Sequence, residues 1–191
     1  MSASTPIEML EAEHRVILKI VGTLGVLADT FEAGRRVQAQ TLRDLVEFMR
    51  TFADRCHHGK EEAHLFPALA SHGVPTQGCP IGGLTHEHQK GRTLVAELDQ
   101  ATQAHFKQST PEAKAEIVRC LRGLAALYPN HLWKEDYMVF PMSVRMLTEA
   151  DNAELQRKFE AVEAEIGSEV HHRMEALAEK LQADVAALVT A

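Results

Sequence analysis

The chain has 191 residues, with 27 Asp and Glu against 20 Lys and Arg, and a formal charge of −7 with histidines neutral. That balance excludes the basic stripe of a nucleic-acid-binding protein. Hydrophobic residues at 45% and charged residues at 25% exclude wholesale disorder.

Apolar residues recur at helical spacing nearly throughout, without a period-2 strand, so the chain reads as all-α. The first helix starts near Pro6, with Ser4 or Thr5 as cap. Its face carries Ile7, Leu10, His14, Ile17, Val21, Leu24 and Ala28, and Gly34 ends it. The apolar run 16–28 is too short to cross a bilayer and contains Lys19, so no membrane partner is expected. A second helix is predicted from about residue 37 to 72, with Leu45, Met49, Ala53, His57, Glu61 and Leu65 in one row. Residues 73–80, rich in Gly and Pro, form a loop. The third helix presents Ile81, Leu84, His88, Gly91, Val95 and Leu98.

Ser109, Thr110 and Pro111 open a fourth helix, whose stripe is Ile117, Leu121, Leu124, Tyr128, His131, Glu135, Met138 and Met142. Pro129 predicts a kink before His131. After Thr148, apolar residues from Leu155 to Leu188 keep helical spacing, which predicts one long amphipathic helix. The expected architecture is an up-down antiparallel four-helix bundle over residues 1–148. Residues 149–191 add a C-terminal helix packed on the bundle or lying in a dimer seam, in a monomer or homodimer. Cys56, Cys79 and Cys120 are odd in number and form no C-x-x-C pair. A reducing, cytoplasmic setting follows.

The unusual count is histidine, at 11 residues. An offset of 74 residues carries His14 to His88, His57 to His131 and Glu61 to Glu135. The same offset relates Glu13 to Glu87, Lys60 to Lys134 and Phe66-Pro67 to Phe140-Pro141. Two copies of a helix pair give a bundle with pseudo-twofold symmetry. The register also discriminates: His58 would land on Leu132, and Glu135 rather than Asp136 is the partner of Glu61. Residues four apart share a helix face, so His57 with Glu61 and His131 with Glu135 point inward together. Two buried carboxylates among four imidazoles, with no Lys or Arg in the stripes, call for cationic charge. Imidazole with carboxylate suits iron, zinc or copper. Two glutamates bridging two cations, with two histidines on each, leave room for an oxo or hydroxo bridge and an exogenous molecule.

Through Glu13-His14, the segment 57–67, Glu87-His88 and the segment 131–135, the sequence resembles the hemerythrin-like HHE cation-binding family. The resemblance covers roughly residues 7–147. It implies a non-haem centre of two iron ions, oxo- or hydroxo-bridged. His14, His57, His88 and His131 would be terminal ligands, with Glu61 and Glu135 as bridges. Oxygen-carrying hemerythrins have HxxxH on the third ligand helix; here Leu84 stands four residues before His88, so that fifth histidine is missing. Ferritin-like di-iron bundles need Glu-x-x-His on two helices, and the fourth helix offers none.

The resemblance implies a protein that binds or reacts with O2, H2O2 or NO, with catalase-like turnover as one form of that reaction. The alternatives are an iron- or oxygen-sensing regulatory module and a structural zinc bundle. His58, His64, His72, His86, His105, His171 and His172 lack repeat partners and read as solvated or packed. Cys56 reads as a buried, inert thiol, and Tyr128 as a hydrogen-bonding neighbour of the ligand face. Glu13 and Glu87 read as acceptors for the outer ring N–H of ligating histidines.

Overall fold

A computed structural model describes residues 5–190. Six helices follow one another, and no strand occurs among the described residues. Helix α1 spans Pro6–Glu32. Thr5 and Glu8 cap it reciprocally: the Glu8 N–H donates to Thr5 Oγ1 at 3.2 Å, and the Thr5 N–H to Glu8 Oε2 at 2.7 Å. Two of the unpaired donors at the helix start are thereby satisfied. Ser4, the alternative cap, lies outside the described residues. Gly34, at φ +72°, takes the left-handed turn that stops the helix.

Helix α2 runs over residues 39–71, α3 over Ile81–Lys107 and α4 over residues 111–146. Thr110 caps α4 with Pro111 at its first position, and the helix continues unbroken through Pro129. Both α2 and α4 widen locally. Met49–His58 and Glu61–Leu65 of α2, and Glu135–Val139 of α4, use i→i+5 hydrogen bonds. The last two segments are again 74 residues apart.

The helices pack in a ring, α1 on α2, α2 on α3, α3 on α4 and α4 on α1. Two apolar clusters lie along the bundle. On α1 the chain passes Leu10 of the smaller cluster, then His14, then Ile17 of the larger. On α2 the order reverses: Phe52, then His57 and Glu61, then Leu65. Helix α3 repeats the α1 order through Leu84, His88 and Val95, and α4 the α2 order through Leu124, His131 and Val139. Alternating order is the signature of up-down-up-down topology, and it places the polar residues in one layer between two apolar ones. Helices α3 and α4 approach closely at Gly123, where a Cβ would lie 2.9 Å from Leu94 Cδ2.

The C-terminal segment departs from the single helix predicted. It forms α5, Glu149–Ile166, and α6, Ser168–Thr190. Gly167 separates them at φ +99°, ψ +126°, backbone that a residue with a Cβ adopts only under strain. Both helices cover α1 and α2. Leu155 and Phe159 join the smaller apolar cluster, and Met174, Ala178, Leu181 and Val185 the larger.

Candidate metal centre

The bundle brings all six repeat-selected residues into its polar layer. His14, His57, Glu61 and Glu135 are buried together, each offering a ligand atom within 4.8 Å of the others. His88 and His131 form a second group, joined there by His58. The Nε2 atoms of His14 and His57 lie 2.9 Å apart. That is the separation of two adjacent ligands at a right angle on one ion, with bonds the length of zinc–imidazole ones, about 2.0–2.1 Å.

Each carboxylate spans the two histidine groups. Glu61 turns Oε1 toward His57 Nε2 at 3.8 Å and Oε2 toward His88 Nε2 at 3.5 Å. Glu135 turns Oε2 toward His14 Nε2 at 3.3 Å and Oε1 toward His131 Nε2 at 3.2 Å. Both are fully buried, and all four of their oxygens lack a hydrogen-bond partner. The Nε2 atoms of His58, His88 and His131 are unpartnered as well. An unsatisfied buried polar group costs about 1–3 kcal/mol, and seven that converge on one place fit a site built for cations.

The outer nitrogens are fully used. His14 Nδ1–H donates to Asp136 Oδ1 at 2.7 Å, and His57 Nδ1–H to Glu13 Oε2 at 3.0 Å. His88 Nδ1–H donates to Glu62 Oε1 at 2.6 Å, and His131 Nδ1–H to Glu87 Oε2 at 3.1 Å. Such carboxylates fix the tautomer that leaves Nε2 free for metal. Glu13 and Glu87 thus serve the histidine of the following helix, not the one beside them in sequence. Glu62 and Asp136, which the repeat analysis passed over, complete the set and are themselves 74 residues apart. Apolar cover follows the same symmetry: the ring of Phe66 lies 6.0 Å from that of His88, and Phe140 5.1 Å from His14.

Without a cation, protons balance the charge. Burial and the charge of Glu135 push Glu61 well above the usual carboxylate range. Burial acts on Glu135 too, but His131, His14 and His88 outweigh it and hold that carboxyl well below the range. For His14, burial is overcome by the hydrogen bond to Asp136 and the nearby carboxylate of Glu135, which raise it to about 9. Burial lowers His57 to about 4. A metal ion entering the layer displaces these protons.

Among the histidines read as solvated or packed, His58 and His171 pack beside the polar layer. His58 is 2% exposed and faces His88 and His131. Successive side chains in a wide i→i+5 turn step by less than the about 100° of an α-helix, so His57 and His58 both point inward. His58 and Glu62 have the same spacing of four as His57 and Glu61, and only the 74-residue offset, which carries His58 to Leu132, set it apart from them. His171, from α6, comes within 3.6 Å of Glu13 Oε1. His172 beside it is 83% exposed.

Cys56 is buried against Glu13, and burial raises its thiol to about 12. It is a packed, protonated thiol. Lys60 is buried and bridges Glu13 Oε1 and Glu163 Oε1, each at 2.6 Å. Lys134 pairs with Glu87 in the corresponding place. Tyr128 packs edge-on to His131 at 5.9 Å. It also lines a cavity of about 240 Å³ with Met49, Asp54, His58, Gly91 and Arg92.

Four antiparallel helices with a buried layer of imidazoles and paired carboxylates define a metal-binding helical-bundle protein. The hemerythrin HHE cation-binding domain matches residues 5–143, and the chain belongs to that family. Uncharacterized proteins of Mycobacterium bovis and Mycobacterium tuberculosis are each 25% identical to it over 153 residues. These matches cover 80% of this chain and 59% of the relatives, so the chain spans about three-fifths of their length. No described helix is long and apolar enough to cross a membrane.

Proposed function

We propose that the polar layer holds two non-haem iron ions and that this di-iron centre binds or reacts with O2, H2O2 or NO in the cytoplasm. His14 and His57 are terminal ligands of one ion, His88 and His131 of the other, and Glu61 and Glu135 bridge them. The observation that carries this reading is the division of each buried carboxylate between the two histidine groups, one oxygen to each.

Imidazole with carboxylate is a donor set for iron, and bound iron supplies exchange between Fe(II) and Fe(III). The protein's own part is positioning and exclusion. Asp136, Glu13, Glu62 and Glu87 hold the imidazoles in the ligating tautomer and raise their basicity. The apolar layers above and below keep bulk water from the ions, and the cavity beside Tyr128 and Arg92 is the approach for a small molecule. Catalase-like turnover and regulatory sensing share this centre and differ in whether the small molecule is consumed.

Anaerobically purified full-length protein, analysed for metal and then titrated with peroxide under absorbance, tests the reading. About two irons per chain, as in other two-metal sites, and near-ultraviolet bands growing on oxidation are expected. His131→Ala should lose iron and the bands. A zinc-filled, spectrally silent protein, or a His131→Ala variant that keeps both irons, overturns it. Steady gas evolution from peroxide separates turnover from sensing.

A further inference from the structure

We propose that the outer face shared by α1 and α4 is the interface with a second copy of this chain, about a twofold axis that crosses both helices at the level of Gly22 and Pro129. Two contacts set the antiparallel register of the helices: His14 with Asp136 at one end and Asp29 with Arg122 at the other. Leu18 therefore lies level with Trp133, Gly22 with Pro129 and Gly25 with Ala126. Leu18 is 45% exposed and Trp133 52%, and Gly22, Ala126 and Pro129 are exposed as well. The face carries no unpaired charge along this length. Helix α4 has no Asp, Glu, Lys or Arg from 123 to 133, and Lys19, the one charge of α1 between Arg15 and Asp29, turns to Glu179 of α6.

The glycines are the first reason to expect a protein partner here. Both stand in the middle of α1, where glycine is unfavourable, and a Cβ on either would meet nothing within 4 Å. No contact among the described residues asks for them. They make a flat strip on which another helix can lie close. Tryptophan is enriched among the residues that anchor interfaces, and Trp133 is backed by Tyr137, stacked on it with centroids 5.6 Å apart.

Symmetry selects the partner. In a twofold interface the patch must fit itself. Rotation about the stated axis lays α1 antiparallel on its own copy, and α4 on its own copy, so residues equally far from the axis on opposite sides meet. The bulky end of the face then falls on the small-residue end, Leu18 over Gly25 and Trp133 over Ala126. Charges match in the same register. Arg15, which has no ion pair among the described residues, falls on Asp29 of the copy. Asp136, the one carboxylate behind a polar-layer imidazole that has no cation of its own among the described residues, falls on Arg122 of the copy. Glu13, Glu62 and Glu87 already hold Lys60, Arg92 and Lys134. Helices α5 and α6 cover α1 and α2 on the other side.

Sedimentation equilibrium of the full chain tests this. A species of twice the 21.2 kDa of one chain is expected. Trp133→Glu and Gly22→Leu should each weaken it by at least about tenfold, with helix content unchanged by circular dichroism. Gly22→Cys reads the axis directly. In a Cys79→Ser background its two copies should join in a disulfide under mild oxidant, whereas Arg15→Cys, whose copies would stand about 21 Å apart, should not. A monomeric wild type at its highest soluble concentration overturns the proposal, whether or not the variants fold, and leaves the face to a different occupant. A dimer that persists undiminished in folded Gly22→Leu, or that joins through Arg15→Cys and not through Gly22→Cys, overturns it as well.

Discussion

Each carboxylate outside the ligand set does specific work on one imidazole, and the repeat makes that work testable twice. Glu13→Gln and Glu87→Gln remove the charge behind His57 and His131 while keeping shape and a hydrogen-bonding oxygen. Each should weaken metal binding by about 10–100-fold, the usual cost of losing such support. Competition with a chelator measures it, and equal affinities in variant and wild type would show the pairs to be incidental. Glu13→Gln should have the larger structural cost, because it also leaves Lys60 with one ionised partner, Glu163, in place of two and removes the charged acceptor of the Cys56 thiol.

The six proposed ligands were legible in the sequence because identical chemistry recurs at one offset. Their supporting carboxylates were half legible. Glu13 and Glu87 stand next to histidines, whereas Glu62 and Asp136 act across helices that only the folded bundle brings together. His58, which the fold also buries beside this layer, was set aside because it has no counterpart at Leu132.

At the scale of elements, the apolar period located the bundle helices to within a few residues but hid the break at Gly167. Ile166 and Val170 keep a spacing of four across the glycine, so the stripe reads as continuous while the backbone turns. The turn directs α6 along α1 and α2, where Met174 and Leu181 are almost fully buried. Gly167→Ala should therefore destabilise the protein by about 1–3 kcal/mol, the range for a residue forced into sparsely populated backbone. Urea unfolding measures this, and an unchanged midpoint would mean the turn relaxes at no cost. The wide turns of α2 and α4 were equally hidden, since hydrogen-bond spacing leaves no trace in hydrophobic period. They fall on the metal-facing segments, where such irregularities concentrate.

For the whole molecule, ions that bind the folded layer and not the unfolded chain add stability by mass action. Free metal at about 100 times its Kd contributes about 2.7 kcal/mol. Thermal unfolding with iron(II) under argon against chelator-treated protein should show a clear upward shift in Tm. Amides of α5 and α6 should gain hydrogen-exchange protection along with those of the bundle. Unaltered exchange in these two helices would show that they pack on the bundle without sensing its interior.

The path for that effect is visible in Lys60. Its ammonium holds the carboxylate behind His57 with one hydrogen bond and Glu163 of α5 with another, while His171 of α6 approaches the same carboxylate. Energetic coupling between two binding events is reciprocal. Whatever free energy the docked C-terminal pair lends to holding metal, metal returns to docking the pair. The occupancy of an ion sealed inside the bundle is thus broadcast to its exterior, through two helices that contribute no ligand to it.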